Sequence, residues 1–450
     1  MTIDSAYELA NPRSRQLFEE QRALIPGGFS HRARVLTPFP LFISRNVGAH
    51  KWDVDGHEYI DYWLGHGALL LGHGHPIVAA SIREQLAKGL HAGGETELGL
   101  EWARLVRELI PSAEAVRFVS SGGEATQMAI RVARAHSGKS TVLTFQGAFH
   151  GWHDVATVGQ QPPWDVPSSA GVPSAVGATV KALPFLDLEA VERVLRHDHT
   201  VAAIMLEPGG TGSDTVPTTR EYLAGLRDLA TAHGVLLIFD EVVSGFRYAK
   251  GGAQQLFGVI PDLVTLGKVL GGGLAAGALA GRAEVMDVLA WKPDPEWQRY
   301  EMVPHPGTWN AAPITAAAGV ATLRLVRDTD AVAAAIETTR VLIDGLNAAF
   351  EAAGIEAFAY GRASWFKTCP GKQPELLHGV VDGRREDEIR QLRVGWGERG
   401  PSLRKAMLLE GVDLMRSDGF VSAEHGFGDV RRTAQSLERA LTRLKHEGWG

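Results

Sequence analysis

Short apolar runs alternate along the middle of the chain with stretches whose apolar residues recur at helical spacing. Each run ends in polar or glycine-rich residues. Val116–Val119 predicts a strand, followed by Ser121-Gly122-Gly123-Glu124 and by Ala125, Met128, Ala129, Val132, Ala133 and His136 at a spacing that predicts a helix. Thr141–Phe145 predicts a second strand, closed by a loop with Gly147, Phe149, His150 and Gly151. Ala202–Leu206 predicts a third, stopped by Glu207-Pro208-Gly209-Gly210. A helix with Leu223, Leu226, Leu229 and Ala230 on one face leads into Val235–Phe239, ended by Asp240-Glu241. Leu263–Leu266 follows and ends in Gly267-Lys268. This alternation predicts an α/β fold with a mostly parallel central sheet and helices on both faces.

Pro162, Pro163, Pro167 and Pro173 mark an irregular loop between the second and third of these strands. A Pro- and Trp-bearing stretch, Trp291–Pro306, precedes an Ala-rich helix at Ile314–Val326. Val332–Ala353 also has helical spacing, and 355–423 reads as short strands mixed with loops. The last helix carries Val430, Thr433, Ala434, Leu437, Ala440, Leu441 and Leu444 on one stripe. We therefore expect a large domain over 70–325 and a smaller α+β domain assembled from 1–69 and 326–450.

Composition narrows the function. The 450 residues carry 45 basic and 52 acidic side chains, a net charge of −7, which argues against a partner bound by phosphate neutralisation such as nucleic acid. No apolar run approaches the ~18 residues that a membrane span needs. The N-terminus lacks a basic region followed by an apolar core, so no secretory signal is expected. Cys369 is the one cysteine and has no disulfide partner in the chain. These points lead us to expect a cytoplasmic enzyme or binding protein.

In an open parallel sheet, ligands bind beyond the carboxyl ends of the strands, so those ends can be read as one surface. Ser121-Gly122-Gly123 opens a helix whose unpaired amides can hold an anion, or it is an ordinary capped turn. Phe149 and His150 offer an aromatic face and a polar ring, or core packing. Asp240 follows an apolar strand directly, where a carboxylate is costly unless something pairs with it. Lys268 also follows a strand directly, ahead of Gly271-Gly272-Gly273. An anion cradle, an aromatic face, a carboxylate and a lysine at one sheet edge suit pyridoxal phosphate (PLP). That cofactor needs a phosphate site, a lysine for its Schiff base and an acid beside its ring nitrogen.

Two other motifs fail on detail. Lys268 is followed by Val269, not Ser or Thr, which excludes a P-loop, and Gly271, Gly273 and Gly277 are spaced one residue too long for a dinucleotide fingerprint. His66, His73 and His75, or His150, His153 and Asp154, lack the pattern of a catalytic metal site, so no metal is expected.

With these residues in place, the chain resembles the class III PLP-dependent aminotransferases of fold type I. The branch is that of glutamate-1-semialdehyde aminomutase and D-phenylglycine aminotransferase. The resemblance runs from Pro26-Gly27-Gly28 through WDVDG at 52–56, LGHGHP at 71–76, SSGGEA at 120–125 and FHGWHD at 149–154. It continues through Glu207-Pro208, FDEVVSGFR at 239–247, TLGK at 265–268 and Gly307-Thr308.

The resemblance implies that Lys268 binds PLP covalently, that Asp240 pairs with the ring nitrogen, and that Val242 and Phe149 cover the two ring faces. It places Phe149 where the family usually has Tyr, and Gly123 where Thr or Ser is common. Ser121, Gly122 and Gly123 would surround the phosphate, with His150 and Glu207 close to the cofactor. Thr308 would reach the cofactor of a second subunit, implying a homodimer with shared sites. Arg34 matches a position that can bind the substrate carboxylate, with His31 and Arg32 nearby in sequence, and Trp63 and Trp152 are candidate lining of the substrate pocket.

The activity expected is ping-pong transamination between an amino acid or amine donor and an oxo acid, with aromatic or D-amino acids as candidate donors. A glutamate-1-semialdehyde-type aminomutase or an amino acid racemase on the same fold is the alternative. A catalytically silent binding protein and a metal-dependent hydrolase are more distant readings.

Overall fold

The computed structural model describes residues 1–378 and 385–449. The chain forms two compact units. The larger holds Pro76–Val332, with Glu375–His378 and Arg385–Ile389. The smaller holds Met1–His75, Ala333–Pro374 and Arg390–Trp449. Against the expected divisions after 69 and 325, the chain passes between units after 75 and 332.

A seven-stranded sheet organises the larger unit. Its strands are β1 (Ala115–Val119), β2 (Thr141–Phe145), β3 (Val180–Leu183), β4 (Val201–Leu206), β5 (Leu236–Glu241), β6 (Leu263–Gly267) and β7 (Gly277–Gly281). Across the sheet they run β1-β7-β6-β5-β4-β2-β3. The neighbours β6, β5, β4, β2 and β3 are parallel, while β7 runs antiparallel to both β6 and β1. Every residue of β2, β4, β5 and β6 is buried, which is why these strands read as continuous apolar runs rather than alternating ones.

The sequence reading does not include β3 or β7. The sequence of β7, GALAG, has no β-branched or aromatic residue to mark a strand, and its glycines answer to crowding. A Cβ on Gly277 would lie 2.2 Å from the Ser121 carbonyl oxygen, and one on Gly281 would lie 2.4 Å from that of Asp262.

The helix Gly122–Ser137 begins at the end of β1. Ser121 caps it, its hydroxyl accepting from the Glu124 amide at 3.2 Å, and Gly138 closes it with φ 67°. Its apolar face, Met128, Ala129, Val132 and Ala133, joins a core with Val142, Met205, Ile238 and Leu279.

In the smaller unit, strands Ile43–Val47, His50–Asp53, Glu58–Asp61 and Val412–Asp413 form one sheet, and Ala357–Arg362, Trp365–Pro370 and Asp418–Phe420 a second. Ile60, Tyr62, Leu346, Phe366, Met407 and Leu437 lie in its core. The stretch read as strands and loops also contains the helix Gly400–Leu409, whose start at Gly400-Pro401 suits Pro at the first turn. No helix among the described residues is long and apolar enough to cross a membrane.

Candidate active site

The carboxyl ends of β5 and β6 bring Asp240 and Lys268 to the same edge. These strands are in parallel register with Thr265 opposite Asp240, so Lys268 emerges three residues past that pairing. The Asp240 side chain is buried and takes three donors. The Thr265 hydroxyl donates to Oδ1 at 2.8 Å and the Val242 amide donates to Oδ1 at 3.2 Å. His150 Nδ1 lies 2.7 Å from Oδ2. A carboxylate at the end of an apolar strand is thus compensated from a neighbouring strand, its own turn and the loop after β2.

The groups around it are not all compensated. Lys268 is part-buried, and no hydrogen bond or salt bridge holds its ammonium among the described residues. Burial lowers its pKa; Asp240 and Glu207 oppose that shift, and Arg247 adds to it. Its backbone is strained as well, with φ 47°, a left-handed conformation rare outside glycine. For His150, burial is the largest influence and disfavours the charged ring. The Asp240 hydrogen bond and charge, with Glu207, outweigh it and raise the pKa. His150 Nε2 is buried without a hydrogen-bond partner. His153, three residues on, is pushed down to about 4 by burial and by His150, and its Nε2 lies 3.1 Å from the Thr126 hydroxyl.

Glu207, at the end of β4, is buried and ties two loops together. It accepts from the Phe149 amide at 3.1 Å and the Gly212 amide at 3.0 Å. Phe149 itself is exposed, and so is Trp152.

At the end of β1, the first-turn amides of Gly122 and Gly123 make a ready anion site at a helix N-terminus. Val242 is wedged between two glycines. A Cβ on Gly122 would fall 2.6 Å from Val242 Cγ1, and a Cβ on Gly267 would fall 3.1 Å from the same atom. Gly123 is different, since a Cβ there would meet only the Ser121 hydroxyl oxygen, at 4.0 Å.

Ser121, Gly122, Gly123, Phe149, His150, Glu207, Asp240, Val242 and Lys268 therefore all belong to the ends of β1, β2, β4, β5 and β6. Thr308 sits elsewhere in the larger unit, on an exposed loop where its carbonyl meets His91 Nε2. No hydrogen bond among the described residues joins it to the Asp240 cluster.

Arg34 and Trp63 belong to the smaller unit. Arg34 is exposed and donates to the Ser30 hydroxyl at 3.0 Å. Trp63 was expected as pocket lining, but its ring is buried, with its N–H donated to the Leu414 carbonyl at 2.9 Å and the Arg404 guanidinium 4.7 Å from the ring centre. It packs within a charged network because its indole offers both an N–H and a face for cations. Sequence reasoning missed Thr265. Its only trace there is a threonine three positions before the lysine, and its role depends on strand register.

The model of the class-III aminotransferases matches residues 31–357. A glutamate-1-semialdehyde 2,1-aminomutase from Roseiflexus castenholzii is 43% identical over 453 residues, covering 96% of this chain and 98% of its own. Further curated relatives of the same name are 35 to 40% identical. Among solved structures, an omega-transaminase from Sphaerobacter thermophilus superposes with a TM-score of 0.85 at 30% identity, covering 96% of this chain and 98% of its own. A transaminase with PLP bound does so with a TM-score of 0.85 at 28% identity, covering 98% and 99%.

This chain belongs to the class-III aminotransferases, fold type I enzymes that use PLP. The residues present suit that cofactor: a lysine with no hydrogen-bond or salt-bridge partner among the described residues, a carboxylate fixed beside it, and helix-start amides facing the same edge.

Proposed function

We propose that this enzyme moves an amino group within a small amino-oxo acid, the reaction type for which the 2,1-aminomutase relatives are named. The observation that supports it most is the identity to those relatives along nearly the whole chain, together with a lysine and a carboxylate set for PLP.

Lys268 would hold PLP, and Asp240 would accept the N–H of its ring. Gly122 and Gly123 would donate amides to the phosphate beside Ser121. Val242 and Phe149 would cover the two ring faces, with Glu207 holding the Phe149 loop and His150 bracing Asp240. Bound PLP supplies an electron-accepting ring that stabilises negative charge on the substrate carbon bearing nitrogen. Lys268 takes the proton from that carbon and returns it to another. Its lowered pKa leaves more of the amine neutral and able to act as base. Arg34 is proposed to bind the substrate carboxylate and Trp152 to line the pocket. Thr308 is proposed to serve the cofactor of a second copy, making the working enzyme a homodimer, with the cytoplasm as its compartment.

The second reading is transamination between two substrates, which the likeness to the omega-transaminase favours. One experiment separates them: the PLP-loaded enzyme is given glutamate 1-semialdehyde with no second substrate. Catalytic formation of the isomer with its amino group on carbon 1 supports the aminomutase. Transfer that stops after one equivalent and resumes only with an added oxo acid supports the transaminase. Loss of optical purity of a single amino acid points to a racemase.

A further inference from the structure

We propose that Thr265 is a positioning residue for the cofactor, acting through Asp240. This rests on the reading of Asp240 as the partner of the PLP ring nitrogen.

Thr265 has no exposed surface, and its hydroxyl donates to Asp240 Oδ1 at 2.8 Å from the directly opposite position on β6. The three donors to Asp240 differ in kind. The Val242 amide is local to the same turn and longer, at 3.2 Å. His150 approaches the other oxygen from a loop and can itself gain or lose a proton. Thr265 is the donor that comes from the neighbouring strand and stays neutral at every pH. With Oδ1 closed by two donors and Oδ2 met by His150, the carboxylate cannot rotate about its Cβ–Cγ bond without losing a bond. What remains open on it is a single direction, along which a ring N–H can be received. Because β6 also delivers Lys268, one strand fixes both the lysine and the orientation of the carboxylate.

Removing the hydroxyl leaves Oδ1 with the local amide alone, so the ring nitrogen holds its proton less firmly. The Lys268 nitrogen, conjugated to that ring when PLP is bound, then becomes easier to protonate.

The test uses the full chain loaded with PLP and without substrate. Thr265→Val keeps the shape and removes the hydroxyl, Thr265→Ser keeps the hydroxyl, and Thr265→Ala is the smaller control. We expect Thr265→Val to raise the midpoint of the pH titration of the cofactor's visible band by at least about half a unit. It should also weaken PLP binding to the apoprotein about tenfold, with Thr265→Ser within about twofold of the parent. If Thr265→Val does not fold, the same difference is read between Thr265→Ser and Thr265→Ala.

Asp240→Asn separates the two levels of the argument. If Asp240→Asn moves the band and the affinity but the variants lacking the hydroxyl move neither, the role of Thr265 is overturned. If Asp240→Asn itself moves neither, the reading of Asp240 fails instead.

Discussion

Each unit buries a cluster of charges, and the two clusters are finished differently. In the smaller unit, Lys51 lies 2.7 Å from Asp61 and 2.8 Å from Asp413, Arg404 lies 3.0 Å from Asp413, and His73 lies 2.7 Å from Asp61. Trp63 fills the space between, donating to Asp413 as well as to Leu414. Every charge there has an opposite within reach. In the larger unit Asp240 is well held, but the ammonium of Lys268 has no such partner among the described residues. The same residue types make structure where they are mutually satisfied. They make a site where one is left for a ligand to complete.

The pKa directions carry the same distinction. Burial opposes the charge on Lys51, but Asp413 and Asp61 outweigh it and the pKa is raised. Burial likewise opposes charge on Asp413, where Arg404 and Lys51 win and lower it. At Lys268, burial wins.

The sharpest way to break this comparison is to remove each lysine in turn. Lys268→Ala is expected to lower turnover by at least about a thousandfold while leaving the fold intact, as measured by steady-state kinetics beside circular dichroism. Lys51→Met leaves two carboxylates short of a cation and is expected to cost about 3 kcal/mol in denaturant unfolding. The visible band of bound PLP should stay where it is. A shifted band with unchanged stability would erase the distinction between the clusters.

The apoprotein sharpens it through pH. The folded pKa of Lys51 is raised above 10.5, so its stabilisation is complete below that value and is lost as pH climbs through the folded pKa. The folded pKa of Lys268 is lowered, so its penalty is complete below the folded value and is relieved as pH rises toward 10.5. Unfolding free energies measured from neutral to alkaline pH should therefore show Lys51→Met flattening a fall with pH, and Lys268→Met flattening a rise.

The smallest effect concerns the anion site. Gly123→Ser has room for its side chain and adds a hydroxyl, so PLP should bind about fivefold more tightly, or ~1 kcal/mol, by titration of the apoprotein.

Much of the site was legible in the chain because catalysis on a parallel sheet concentrates at strand ends, and strand ends are where apolar runs stop. Asp240 and Lys268 stand at those stops, as do Ser121 and Glu207 within a residue or two. Thr265 was hidden because it is interior to an apolar run. Only the register of β6 against β5 turns it from filler into a donor. β7 was hidden for the opposite reason, since its small residues serve close approach rather than hydrophobic burial. Trp63 was misjudged because a tryptophan near histidines and glycines looks the same in sequence whether it faces a ligand or two buried cations.

The wedge of Val242 between Gly122 and Gly267 sets the order in which this site can evolve. A methyl group at Gly122 is barred while Val242 keeps both of its own, one at Gly267 needs Val242 to give by a few tenths of an ångström, and a smaller residue at 242 alone leaves a void. Change at 242 or 122 alone is penalised, whereas pairing Val242→Ala with Gly122→Ala returns one of the two carbons removed to the same space. A library that varies single sites would score Gly122 and Val242 as immutable and overlook the linked route by which this wall can be redrawn.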